Sequence, residues 1–169
     1  MNKHLLKYIV LTILTYGSFS SAYAGLLGIY GGYSMGNSTT TNTTPSQTSS
    51  ISKLYAGYRV LGPLAVEMSQ NTLGTYASGL IKADGTSIDA VGFLPLGIVT
   101  VFAKAGILNW NVSVSGTPET GMSTKYGYGI EYGLFANIDL RLEYELYSKI
   151  GKSVPVDATA VTLGIGVAF

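Results

Sequence analysis

The chain has 169 residues, of which 22 are Gly and 13 Tyr; only 11% are charged, the formal net charge is +1 and the mean hydropathy is +0.33. That length holds one domain, and the near-neutral charge supplies no polybasic surface for nucleic acid. Without cysteine there are no disulfides, thiolate metal sites or cysteine nucleophiles.

Residues 1–24 read as a cleavable export signal. Lys3 and Lys7 precede a short apolar core at residues 8–16 (YIVLTILTY), and Ala22-Tyr23-Ala24 is a small-x-small cleavage site. The apolar run is shorter than the ~20 residues a spanning helix needs. Cleavage after Ala24 is therefore expected, leaving residues 25–169 as the mature domain. It removes His4, the single histidine, and leaves eight basic residues against nine acidic ones.

From Gly25 onward one unit repeats: about ten residues of apolar/other alternation, then a break rich in Gly, Pro, Asn, Ser or Thr. Strands are predicted at 26–36, 51–60, 64–72, 87–95, 98–108, 125–134, 138–147 and 157–169. The clearest is 125–134, where Tyr126, Tyr128, Ile130, Tyr132 and Leu134 alternate with Lys125, Gly127, Gly129, Glu131 and Gly133. In 138–147, a helix would mix Leu142 and Leu146 with Arg141 and Glu145 on one face, whereas a strand separates them. The last strand alternates to Phe169.

This pattern predicts an all-β fold, an eight-stranded antiparallel up-and-down transmembrane β-barrel. A charge at the bilayer midplane costs ~2–4 kcal/mol, so the charged faces must point into the bore. That rule sends Lys53, Arg59, Glu67, Asp89, Lys104, Lys125, Glu131, Asp139, Arg141, Glu143 and Glu145 inward. Leu54, Tyr58, Val66, Met68, Val99, Val101, Ile107, Tyr126, Leu140 and Val167 face lipid. The connections after strands two, four and six are tight, and those after one, three, five and seven run longer. With both termini periplasmic, the longer ones (37–50, 73–86, 109–124 and 148–156) are expected to be extracellular loops.

The stretch 125–147, KYGYGIEYGLFANIDLRLEYELY, resembles the "YG-G-EY … RLEYE" pattern of the small outer-membrane β-barrel family, which includes OmpA-type transmembrane domains and opacity-type surface proteins. Supporting elements are Gly57-Tyr58, Leu94-Pro95-Leu96, Ala103-Lys104-Ala105-Gly106 and the segment from Leu163 to Phe169. The resemblance implies that Phe169 is read by the barrel-assembly machinery, and that the bore holds ion pairs drawn from Glu67, Lys104, Glu131, Arg141 and Glu143. It does not extend to the peptidoglycan-binding domain that follows the barrel in OmpA.

The interior charges read as mutually neutralising structure in a narrow bore rather than as an ion path. Outward Tyr58, Tyr126, Tyr132 and Tyr144 read as anchors in the headgroup region, and Trp110 as another. Acyl-modifying barrels of this size use a histidine, and the mature chain has none, so no catalytic activity is expected. The carboxylates show no calcium-loop spacing, and no metal or cofactor is expected. The leading expectation is a structural or surface-interaction protein. Its partners would be outer-membrane lipid, the assembly machinery and a host or surface ligand on the loops; the alternative is a narrow pore for ions or small solutes.

Overall fold

Period-two alternation gives each segment one face for lipid and one for the bore, but a strand with unpaired edges cannot sit in a bilayer, where backbone groups find no water. The chain meets this requirement by closing a ring. A computed structural model describes residues 28–41, 46–76, 81–114, 116–135, 137–152 and 155–169. The described residues form eight strands: β1 (Gly28–Thr40), β2 (Thr48–Leu61), β3 (Leu64–Tyr76), β4 (Ile81–Leu96), β5 (Val99–Val114), β6 (Thr117–Phe135), β7 (Ile138–Ile150) and β8 (Val156–Ala168). Each pairs antiparallel with its sequence neighbours, and β8 pairs with β1 to close the barrel. The predicted cleavage residues Ala22 and Ala24 lie outside the described residues.

The closure is staggered. Following paired residues once around the wall, from Tyr30 through Gly57, Glu67, Asp89, Gly106, Lys125, Tyr147 and Ala158, returns to β1 at Thr40, ten residues further along. Such a shear tilts the strands by roughly 40° and sets a bore that side chains can fill.

The strands are longer than expected, and most of the expected loop sequence is strand. The segments 37–50, 73–86, 109–124 and 148–156 shrink to connections at 41–47, 77–80, 115–116 and 151–155. Between β5 and β6, Val114 pairs with Thr117, and Gly116 has the positive φ (+87°) that a tight hairpin requires. That connection is as short as the ones at 62–63 and 97–98, so the short/long alternation does not hold there. The Ser, Thr and Asn runs lack the apolar face that marks a strand in sequence, yet their backbone groups gain partners from neighbours already aligned by the barrel.

Candidate functional site

Inward residues come from one parity of every strand, so the bore's chemistry follows from the alternation. Midway along the bore lie Lys53, Lys104, Lys125 and Arg141 with Glu67, Asp89, Glu143 and Glu145, all essentially inaccessible to solvent. Four cations thus meet four carboxylates. Lys53 pairs with Glu143 and, at 3.2 Å, with Glu145. Lys104 pairs with Glu143, with Glu145 at 2.7 Å and with Glu67 at 3.2 Å. Lys125 pairs with Asp89 at 2.8 Å and Glu145 at 3.1 Å, and donates to Ser87 Oγ at 2.8 Å. Arg141 donates to Glu67 at 2.8 Å, lies 3.6 Å from Glu131 and 3.4 Å from Glu143, and is held between the rings of Tyr55 and Phe102 at 4.4 and 4.2 Å.

The structure thus brings Glu67, Lys104, Glu131, Arg141 and Glu143 into one network. Four members, Lys53, Asp89, Lys125 and Glu145, were placed inward by the alternation but not singled out as partners. Ser69 and Ser87, 2.7 Å apart in the same layer, carried no sequence signal, because a small inward polar residue looks like filler.

Apolar layers flank the network on both sides, and Arg141 reaches Glu131 past the one nearer the start of β1. Toward the end where β1 begins and β8 ends, Tyr30, Tyr55, Phe93 and Phe102 pack with Ala65 and Val91. Below them Arg59 stacks over Phe93 and reaches 3.9 Å from Glu131, in a polar vestibule of about 280 Å³ that also takes in Asp139. Toward the hairpin end, Ile51, Leu73, Leu108, Trp110, Val112, Tyr147 and Ile150 form a second apolar cluster. Trp110 is therefore not an interfacial anchor. It continues the inward parity of Phe102, Lys104 and Leu108, is 2% exposed, and donates its indole N–H to Ser123 Oγ at 2.8 Å. Its neighbours Asn109 and Asn111 made the segment look like a loop; as strand residues they face outward.

The outer wall changes chemistry at one level. Outward residues switch from apolar to polar between Met35 and Asn37 on β1, Leu54 and Ser52 on β2, Met68 and Gln70 on β3, and Ile88 and Thr86 on β4. The switch continues between Ile107 and Asn109, Tyr126 and Thr124, Leu146 and Ser148, and Val161 and Thr159. From this boundary to the turns the wall is apolar, down to exposed Leu64, Leu96, Ile98 and Phe135. Beyond it, Ser, Thr and Asn predominate outward, with Met122 an exposed exception, while the Trp110 cluster fills the inside. One barrel thus follows two rules: apolar outside in its lower part, apolar inside in its upper part.

Tyr126 sits at the boundary and Tyr144 one step below it, its ring 5.3 Å from that of Tyr128. Tyr58 and Tyr132 lie exposed nearer the turn end. Phe169 also lies at that end, its N–H donating to the carbonyl of Ile29 at 2.8 Å. The boundary yields a direct expectation on β6. Ile130→Arg, mid-way down the apolar band, should cost ~2–4 kcal/mol in unfolding from lipid vesicles, whereas Thr124→Arg, above the boundary, should cost ~0–1. Equal costs in urea titrations would refute this placement of the bilayer.

A family model for the OmpA-like transmembrane domain matches residues 22–169. Outer membrane protein A of Klebsiella pneumoniae is 25% identical over 156 residues, which cover 79% of this chain; the chain spans 45% of that relative's length. The structure is similar to Neisserial surface protein A, with TM-score 0.70, 20% identity, and coverage of 83% of this chain and 97% of that one. It is also similar to the N-terminal β-barrel domain of Pseudomonas aeruginosa OprF (TM-score 0.61, 16% identity, 84% and 99% covered) and to Ail of Yersinia pestis (0.50, 21%, 86% and 99%).

Proposed function

Because the chain belongs to the OmpA-like transmembrane domain family of the bacterial outer membrane, we propose that it is a structural, surface-interacting barrel. It would hold its hairpin end outside the cell and make contacts there without a catalytic step. Export by a signal removed after Ala24, and assembly through Phe169, belong to the same reading. The observation that carries it is the division of the barrel at the apolar/polar boundary. A tilted strand spans the hydrocarbon in ~9–11 residues, and these strands have 13 to 19. The surplus lies on the hairpin side, where it has its own apolar core and a polar exterior. Ordered backbone there offers a preformed surface with little to lose on binding. A barrel of this fold from Yersinia pestis bears the name attachment invasion locus protein, so attachment is compatible with the fold.

Conduction is the competing reading, and the bore argues against it. Among the described residues, a buried layer of mutually neutralising ion pairs flanked by two apolar clusters disfavours a continuous path for ions. Planar-bilayer recordings of the refolded protein should show no steady conductance; a reproducible one, altered by Glu131→Gln or Arg141→Ala, would favour the pore. For contact, bacteria expressing the barrel should bind epithelial layers better than vector controls. Replacing 41–47 with a two-residue turn, together with Asn109→Glu and Thr120→Glu, should reduce that binding. Undiminished adhesion, or none above control, would set the contact role aside.

A further inference from the structure

Two depressions on the outer wall meet at the apolar/polar boundary. The lower one, about 360 Å³, is lined by Leu54, Ala56 and Met68 and bounded above by Gln70 and Thr86. At its floor is the short side chain of Ala56, which pairs with Gly31 on one side and with the longer Met68 on the other. The upper one, about 430 Å³, shares Gln70 and Thr86 and adds Thr72, Thr75, Lys82, Asp84 and Asn111. A register shift between Thr72 and Gly74, where Gly74 takes φ +114°, bends the β3–β4 hairpin around it. Asn111 Nδ2 donates to Asp84 at 3.3 Å, while exposed Lys82 has no ion-pair partner among the described residues.

We propose that this continuous groove binds one phosphorylated, acylated saccharide lipid of the outer leaflet, with an acyl chain in the lower part and the headgroup in the upper part. The proposal rests on the reading that the hairpin end faces outward. Both depressions are open to the side, so they would hold a lipid against the wall rather than enclose it. Below Gln70 and Thr86, the lower lining offers an acyl chain mainly hydrocarbon contact. Above the boundary, hydroxyls, amides and the Asp84 carboxylate match sugar hydroxyls, and Lys82 supplies the charge for a phosphate. A phospholipid with a small headgroup would leave most of the upper groove to water. The change of lining falls at the same height as the switch on all eight strands, which places one amphipathic molecule across both halves.

The test uses the full barrel, refolded in phosphatidylcholine vesicles. As the chain has no cysteine, a fluorophore can be placed at Ser50→Cys on the groove's rim or at Thr159→Cys on β8 as a control. Purified lipid A is then titrated at constant total lipid. Binding predicts a saturable change at Ser50→Cys and none at Thr159→Cys. Lys82→Ala should raise the midpoint about fivefold, from the ~1 kcal/mol a lysine contributes near an anionic surface. Ala56→Trp, a lipid-facing change that fills the lower groove, should abolish saturation. A linear response, an equal response at the control, or midpoints unchanged in both variants would overturn the proposal and leave ordinary boundary lipid. Vesicles carry lipid A in both leaflets, so this result does not depend on orientation. Labelling Ser50→Cys in intact cells with an impermeant reagent reads the orientation separately.

Discussion

Arg141→Ala is expected to destabilise the barrel by ~3–5 kcal/mol, since removing one partner of a buried ion pair leaves uncompensated charge. Glu67 would keep Lys104 at 3.2 Å but lose its 2.8 Å donor, and Glu131 would keep, among the described residues, a distant Arg59 as its cation. The lost guanidinium also leaves a void between Tyr55 and Phe102. Against a typical total of ~5–15 kcal/mol, that is a large fraction. The check is a urea titration in vesicles, followed by electrophoretic mobility of the folded form. Glu67→Gln alone should also destabilise, and the double variant should cost less than the sum, because the two residues share one interaction. A strictly additive pair, or an Arg141→Ala cost below ~1 kcal/mol, would mean that the network contributes little to stability. The loss should persist in high salt, since ions screen buried pairs poorly.

Trp110→Ala should cost ~3–5 kcal/mol, the range for truncating a buried aromatic, with the lost donor to Ser123 adding to it. The site lies beyond the apolar/polar boundary of the wall, so the effect should be regional. Hydrogen exchange should rise in the β5–β6 hairpin and in neighbouring strands that share the Trp110 cluster, while the aromatic layer around Phe93 and Phe102 stays protected. Trp110→Phe keeps most of the volume and should recover most of the stability. If Trp110→Ala shifted unfolding no more than an exposed substitution such as Asn109→Ala, the upper core would not be the stabilising element described.

The fold was legible because period two is insensitive to context. On β6 and β7 the alternation from Lys125 to Leu134 and from Ile138 to Tyr147 assigned every side chain to bore or lipid, and the cost of charge in hydrocarbon decided which was which. The upper strands were not legible for the same reason. Around Asn109–Asn111, from Asn37 to Thr40 and from Thr48 to Ser50, outward residues are polar and several inward ones are small or polar, so the contrast that reveals a strand disappears. Trp110 shows the consequence: read as a loop residue at a membrane interface, it is the centre of a core. The ion pairs were legible only as a set, since alternation gives a face and not a partner.

The sequence by itself determined the period of the strands, the faces of the charged residues and the outer-membrane class, because each follows from local alternation and the penalty for charge in lipid. Only the tertiary structure decided how far the strands extend and which charges meet. It also decided that the barrel turns inside out at the boundary, with an apolar wall below and an apolar core above. These depend on the ten-residue stagger of the closed ring, which sets residues from distant strands side by side, and no single segment contains that information.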